Sequence, residues 1–116
     1  MSGSVNLNIN TGADWAVRMT WTDGNGNPVV FDTPVMDIRQ EKSSTGNAIA
    51  SLDSTGNLNG TISQTGPGEL TITMTKEQTK NLQTGYGFWD IFVNVNSYRV
   101  KFAFGTVQIS PHVTAV

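Results

Sequence analysis

Alternation of apolar and polar residues recurs along most of this chain, and it limits the possible folds more than any other feature. Residues 5–10 alternate Val, Leu and Ile with Asn, residues 15–21 alternate Trp, Val and Met with Ala, Arg and Thr, and residues 70–74 alternate Leu, Ile and Met with Thr. A period of two places one set of side chains on each face of a β-strand. Further strands are predicted over residues 35–41 and 47–52.

The two most apolar strands follow in the last third of the sequence. In the first, residues 87–95, Trp89 and Ile91 share one face while Phe88 and Phe92 share the other. A strand that is apolar on both faces is predicted to be a central strand covered on both sides, or to have one face in a subunit contact.

The last strand, residues 98–109, changes its parity at Gly105. Phe102 and Phe104 before the glycine can face the same core as Val107 after it only if a β-bulge resets the register. We therefore predict a bulge near Gly105.

Turn chemistry separates these strands. Residues 22–28 read TDGNGNP, and their Asp-Gly and Asn-Gly pairs predict a hairpin whose returning strand is residues 29–31. Residues 43–68 are rich in Gly, Ser, Thr and Asn, which predicts a long polar loop with one short strand inside it at most. Thr75 and Gln78 have the spacing of a capping box, which predicts one short helical turn near residues 76–82.

Together these elements predict an all-β protein, an antiparallel immunoglobulin-like β-sandwich of about eight strands. The chain has 116 residues, which is the length of one domain. Residues 1–116 are therefore predicted to form a single β-sandwich domain.

The chain is poor in charge and rich in small polar residues. Charged residues are 14% of the sequence, whereas 15 Thr, 11 Asn, 9 Ser and 12 Gly are present. A net charge of -2 without any Lys/Arg cluster predicts no binding to nucleic acid. There is no cysteine, no signal peptide pattern and no long apolar run, so we expect no disulfide, no membrane span and synthesis in a cytoplasm.

No catalytic, cofactor-binding or metal-binding residue is predicted, and we expect no enzyme. The single histidine, His112, follows a proline in the terminal segment and offers no serine triad. Asp37, Glu41 and Asp90 are acids, but a sandwich of this size has little room for a glycosidase cleft. The Asp-x-Asn-x-Asn pattern at residues 23–27 lacks the Gly and Glu that a calcium loop needs.

Asp90 lies between Trp89 and Ile91 in a strand that is expected to be buried. A charged carboxylate without a partner would destabilise the folded state by several kcal/mol there. We therefore predict a hydrogen-bonding partner or an arginine, with Arg39 and Arg99 as candidates, and expect Asp90→Ala to lower the melting temperature.

The order of the motifs is more specific than any one of them. A tryptophan is followed by an Asp-x-x-Gly-x-Pro turn, an M-x-I-R strand, a capped connector, an aromatic-Asp-Ile strand and a closing Gly-x-Val segment that ends in Pro-x-Val-Thr: Trp21, Asp23 with Gly26 and Pro28, Met36 with Ile38 and Arg39, Thr75 to Leu82, Trp89 to Ile91, and Gly105 to Thr114. In this order the chain resembles a group of small tailed-bacteriophage proteins. It departs from them where Trp89 replaces their tyrosine and where the loop at residues 43–68 is longer and more polar.

The resemblance implies a virion structural or accessory protein, with no enzymatic role and no cofactor, assembled in the host cytoplasm. Its partners would be other virion proteins and further copies of the same chain, in a capsid decoration, a neck or tail ring, or a fibre adaptor. Candidate partner contacts are the two chain ends, which could add a strand to a neighbouring sheet, and the polar loop: Val5, Leu7, Asn57, Leu58, Asn59, Pro111, His112 and Val113.

The aromatic residues raise the alternative of a carbohydrate-binding module. It requires Trp15, Trp21 or Tyr86 to lie exposed as a stacking platform. Trp15, Trp21 and Trp89 share the parity of aliphatic neighbours, so we predict a structural role in the core for all three, as for Gly105. An adhesion domain of a bacterial cell surface is the third possibility, disfavoured because no signal peptide is seen.

Overall fold

A computed structural model describes residues 4–40, 48–56 and 59–111. Within these ranges the chain forms eight β-strands and one short helix. In chain order they are β1 (Ser4–Asn10), β2 (Trp15–Thr20), β3 (Asp32–Arg39), β4 (Ala48–Leu52), β5 (Thr61–Gly66), β6 (Glu69–Met74), α1 (Lys76–Lys80), β7 (Gly85–Val95) and β8 (Tyr98–Ser110).

The strands make two sheets that face each other across the core. One has five strands in the order β1-β8-β7-β3-β4, and the other has three strands in the order β2-β6-β5. All pairs are antiparallel except β1 with β8, which run parallel. This arrangement of two aligned sheets is an immunoglobulin-like β-sandwich, so the predicted fold class is confirmed.

The alternating residues fill the space between the sheets as predicted. Trp89, Ile91 and Val93 of β7 are at most 2% exposed, and the inner residues of β3 and β6 are buried just as deeply: Met36, Ile38, Leu70, Ile72 and Met74. Burying a side chain of this size stabilises a fold by about 1.5–3 kcal/mol.

Trp15 and Trp21 are half-buried and pack against this core, which confirms their predicted packing role. The Trp21 ring meets Phe102 edge-on at 5.6 Å between centroids, and Phe31 meets the other side of Phe102 at 5.4 Å. The three rings therefore close the end of the core near the turn that follows β2.

The predicted hairpin turn at residues 22–28 forms: Thr22 bridges Pro28, and the Val29 N–H donates to the Trp21 carbonyl at 3.0 Å. The Asp23 carboxylate accepts hydrogen bonds from the backbone N–H of Asn25 and Asn27, at 2.8 and 3.0 Å.

Residues 29–31 do not continue as the predicted returning strand. They carry the chain from the three-stranded sheet to the five-stranded one, so β2 and β3 do not pair. Burial of Phe31 between the sheets draws the chain across.

The prediction of one long polar loop over residues 43–68 is also wrong, because two strands lie within this range. The described part of this region contains β4, which matches the strand predicted over residues 47–52, and β5, which pairs with β6. Ile62 of β5 is fully buried, and this single aliphatic side chain anchors an otherwise polar strand.

The predicted capping box at the start of α1 is confirmed. The Thr75 side chain accepts from the Gln78 N–H, and the Gln78 side chain accepts from the Thr75 N–H. Thr79 is fully buried, and its hydroxyl accepts from the Gly12 N–H at 3.0 Å and donates to the Ala13 carbonyl at 2.8 Å. The helix is thereby tied to the turn between β1 and β2.

Gly105 has its role in the contact between β1 and β8. It lies opposite Trp89 on β7, and a Cβ at this position would be only 1.8 Å from the carbonyl oxygen of Val5. The Trp89 indole N–H reaches past it and donates to the carbonyls of Val5 and Thr106, both at 3.0 Å. The absent side chain thus lets a core tryptophan bind the edge strand.

We expect Gly105→Ala to destabilise the protein by about 3 kcal/mol, because the methyl group would push β1 away and break the Trp89 hydrogen bond to Val5. Denaturant unfolding measures this loss. Gly24→Ala is the control, because a Cβ there meets nothing within 4 Å. Equal stabilities of the two variants would contradict this role of Gly105.

Candidate protein-binding surface

The outer side of the five-stranded sheet carries an aromatic cluster. Phe88 and Phe92 alternate with the buried residues of β7 and therefore point away from the core, and Phe104 stands beside them on β8, opposite Asp90. All three rings are half-buried. We call this surface the aromatic face and define it by these rings and their charged neighbours: Phe88, Phe92, Phe104, Asp37, Arg39, Asp90 and Lys101.

A β-bulge places Phe104 on this face. Ile91 pairs with Ala103 and Phe92 pairs with Lys101, which leaves Phe102 as the extra residue in β8. Phe102 and Ala103 are both buried, and the parity of the strand changes between them. The bulge is thus predicted correctly but lies before Gly105, and the prediction that Phe104 shares the core with Phe102 is wrong.

Two basic side chains cover the rings in part. The Lys101 ammonium lies 5.6 Å from the Phe92 ring centroid and 5.4 Å from that of Phe104. The Arg99 guanidinium lies 5.6 Å from the centroid of Phe92. Such cation–π contacts are worth about 0.5–1 kcal/mol at exposed sites. They hold the basic groups near the rings but leave the rings partly accessible to a partner.

Two carboxylates lie side by side at the centre of the sheet, because Asp37 of β3 pairs with Asp90 of β7. Asp37 is satisfied: it accepts from Arg39 at 3.2 Å and from the Ser51 hydroxyl at 2.8 Å. The carboxylates border a groove of about 90 Å³ whose walls include Phe88 and Phe104.

Asp90 has neither a hydrogen bond nor an ion pair among the described residues, and its oxygens keep access to solvent. The predicted arginine partner is therefore wrong, since Arg39 pairs with Asp37 and Arg99 lies over Phe92. Burial raises the pKa of the Asp90 carboxyl, against the opposing effect of Lys101. Asp37 adds to the rise in pKa and Arg39 opposes it.

The candidate partner contacts predicted from the two chain ends have different surroundings. Val5 is half-buried, and the Leu7 side chain is buried in the core. Pro111 is exposed at the end of β8. His112 and Val113 lie outside the described residues.

Of the predicted loop contacts, Asn59 is exposed, but it is already engaged. Its N–H donates to the Ser51 carbonyl at 2.9 Å, and its side-chain oxygen accepts from the Ser51 N–H at 3.0 Å. Asn59 therefore covers the backbone of β4 at the sheet edge. Asn57 and Leu58 lie outside the described residues.

Residue pattern alone did not identify Lys101 or the Asp37–Ser51 contact as parts of this surface. The signal that was available is the apolar character of both faces of β7. Tyr86 and Tyr98 are 74% and 75% exposed and lie at opposite ends of the β7–β8 hairpin. Tyr86 shares the outer side of β7 with Phe88 and therefore lies at one end of the aromatic face.

The described ranges contain no candidate metal site and no candidate transmembrane helix. No group of three His, Asp or Glu side chains there could hold a metal ion. Nor does any helix in those ranges have the length and apolar character to span a bilayer.

No protein-family model and no curated protein matches this chain. Among solved structures, it is similar to CopC from Methylosinus trichosporium OB3b, with 15% identity over 95% of this chain and 90% of that chain and a TM-score of 0.50. It is also similar to the NK cell receptor Nkp44, with 15% identity, coverage of 95% and 99% and a TM-score of 0.49. Murine CRIg shows 12% identity, coverage of 93% and 92% and a TM-score of 0.47. At 15% identity the likeness to CopC concerns the fold alone, and it agrees with the two-sheet topology.

We expect Asp90→Asn to stabilise the protein at pH 7, by less than about 1 kcal/mol because the site is partly solvated. The expected loss of melting temperature in Asp90→Ala depends on a partner that Asp90 does not have among the described residues. The pKa of Asp90 is near 3.8 in the unfolded state and higher in the folded state. The free energy of unfolding therefore falls as the pH rises through the window between these two pKa values. The gain from Asp90→Asn should therefore be largest above this window and shrink as the pH falls through it.

Thermal melting of both proteins from pH 3 to pH 8 measures this difference. Glu77→Gln, which removes an exposed carboxylate on α1, is the control for net charge. A loss of stability at pH 7 in Asp90→Asn alone would contradict the expected cost of the Asp90 charge.

Proposed function

We propose that this chain is a structural or accessory protein of a tailed-bacteriophage virion, and that it binds other virion proteins in multiple copies through the aromatic face. The sequence resemblance supports the virion part of the proposal. The observation that carries the binding part is the cluster of Phe88, Phe92 and Phe104 on the outer side of a central strand pair.

The chemistry of the aromatic face favours a protein as its partner. Aromatic and arginine side chains are enriched at the centres of protein interfaces, and they carry most of the binding energy there. Completing the burial of a half-exposed phenylalanine stabilises a complex by about 1 kcal/mol. A partner that donates hydrogen bonds to Asp90 would also supply the partner that this carboxylate lacks within the described chain.

The low charge of the chain supports the same proposal. Only 14% of the residues are charged, so hydroxyl and amide groups outnumber ions among the polar side chains. Such groups cost less to remove from water than ions, provided that they find hydrogen bonds. The proposal places the chain in the virion, as a capsid decoration, a neck or tail ring, or a fibre adaptor, with a binding role and no catalytic one.

The direct test is mass spectrometry of purified particles from the phage that encodes the chain. We expect the chain in the particles, at a copy number that matches a symmetric ring or shell. Its absence from purified particles, despite expression in the infected cell, would overturn the virion proposal.

A phage that carries Phe88→Ser and Phe104→Ser tests the aromatic face. We expect incorporation into particles to fall at least tenfold, because the variant loses most of the apolar contact area. Val30→Ser is the control, since Val30 is 81% exposed and lies on the segment that connects the two sheets, outside the aromatic face. Normal incorporation of the folded double variant, with its melting temperature checked separately, would exclude the aromatic face as the interface.

Two observations support the carbohydrate-binding alternative, the first being that Tyr86 is 74% exposed, as this alternative requires. Trp15 is half-buried and borders an open hollow of about 370 Å³ next to Asp14 and Thr75. A tryptophan beside a hollow with polar neighbours suits the stacking of a sugar ring. On this alternative, a bound glycan would shift the tryptophan emission, and Trp15→Ala would weaken binding at least tenfold.

Fluorescence titration with host-surface glycans measures both effects. Tyr98→Ala is the control, because Tyr98 is exposed and is not among the residues lining the hollow. An unchanged emission spectrum, or equal affinities of wild type and Trp15→Ala, would count against the carbohydrate alternative.

A further inference from the structure

The outer edge of β1 lacks the features that normally protect the edge of a sheet. Its sequence, SVNLNIN, has no charge, proline or glycine, and its register with β8 is unbroken. Proteins usually protect such edges with charged residues, prolines or bulges.

The other edge strands of the described chain are protected. Asn59 covers the backbone of β4 at Ser51, and β2 carries the exposed charge of Arg18. The register of β5 is irregular between Gln64 and Gly66, next to Pro67.

The free backbone groups of β1 include those of Asn6 and Asn8 in the middle of the strand. The Val5 carbonyl is directed at β8, where the Trp89 indole also reaches it, and the Thr11 N–H donates to the Ser110 carbonyl at 3.0 Å. Because the N–H and C=O of a strand residue point to the same side and alternate along the strand, those of Asn6 and Asn8 point away from β8. No described residue binds them.

β1 is also held firmly in its place. Leu7 and Ile9 are buried, the Trp89 indole binds the Val5 carbonyl, and the Thr106 hydroxyl donates to the Asn6 side chain. An edge that is already ordered loses little conformational entropy when another strand pairs with it.

The sequence of β1 is nearly symmetric about Leu7. When two such strands run antiparallel with Leu7 opposite Leu7, Val5 lies opposite Ile9 and Asn6 lies opposite Asn8. Facing residues in an antiparallel pair alternate between those that exchange two hydrogen bonds and those that exchange none. In this register Asn6 of each copy exchanges two hydrogen bonds with Asn8 of the other, through the backbone groups that are free. The two Leu7 residues face each other as a non-bonded pair, and the two-fold axis that relates the copies passes between them.

We propose that β1 pairs with β1 of a second copy of the chain, antiparallel and centred on Leu7, so that two five-stranded sheets join into one. The pairing deepens the proposed function, because it names a second copy of the chain as one of the partners. It rests on the proposed function, since an assembly of many copies is what brings the β1 edges together. One short edge contact buries less than the roughly 1,200 Å² of a stable interface. The pair is therefore weak between free molecules and strengthened by multivalency within an assembly.

Disulfide cross-linking tests the register, because the chain has no cysteine of its own. Cα atoms of a bonded pair are about 5.5 Å apart, which a disulfide can span. Asn6 would be about 9 Å from Asn6 of the second copy, which is too far. In a glutathione redox buffer, a mixture of Asn6→Cys and Asn8→Cys should therefore form disulfide dimers at least fivefold faster than either variant alone.

Two controls complete the experiment on the purified protein. Asn6→Cys mixed with Asn25→Cys, an exposed turn position, gives the rate of random encounter. An excess of cysteine-free wild type should slow the cross-linking. An excess of Asn8→Pro should slow it much less, because proline removes the outward N–H that the pairing needs and leaves the β8 side of the strand unchanged.

A mixture that cross-links no faster than the turn control would overturn the β1 pairing. Faster cross-linking of Asn8→Cys alone would replace the Leu7-centred register with one centred on Asn8. Neither result would touch the virion proposal, which is overturned only by absence of the chain from particles.

Discussion

The contact between Trp89, Gly105 and Val5 is the interaction on which the surfaces of this protein depend. An indole N–H inside a core must find an acceptor, because an unpaired buried donor costs about 1–3 kcal/mol. Trp89 finds the carbonyls of Val5 and Thr106, but only because residue 105 has no side chain to stand between them. The edge strand β1 is thus bound to the sheet by a core residue as well as by its own ladder.

The same contact determines which way β7 faces. With Trp89 directed into the core, the alternation of the strand sends Phe88 and Phe92 to the outer side. The bulge at Phe102 then adds Phe104 to them. A two-layer sandwich usually leaves the outer side of its sheet polar, so this clustering of rings sets the aromatic face apart.

The aromatic face and the edge of β1 offer two different kinds of contact. The aromatic face would bind through buried rings and ion pairs, and its strength depends on the partner's shape. The β1 edge would bind through backbone hydrogen bonds, which restrict the registers in which a strand can be added. A subunit that bound one neighbour through each surface could extend an assembly in two directions without any change of fold.

Much of this protein was predictable from the sequence by itself. The alternation of residues 70–74 and 87–95 determined which side chains would be buried, and the spacing of Thr75 and Gln78 determined the helix cap, because both depend on neighbours within a few residues. The fold class followed from the number of such strands. Pairing partners did not follow, because two strands with the same alternation fit many neighbours, and only the packing of the whole chain selects among them.

Tertiary structure alone decided the rest. It separated β2 and β3 into different sheets, although the turn after β2 is a good hairpin turn. The bulge lies at Phe102 rather than at Gly105, and Phe104 therefore points outwards. Arg39 forms its ion pair with Asp37 rather than with Asp90. In each case the deciding contact joins residues far apart or on different strands, where local periodicity carries no information. The sequence by itself determined which residues face inwards on the strands with unbroken alternation, such as β1 and β6. The tertiary structure decided the facing of β8 beyond its bulge and what each outward face meets.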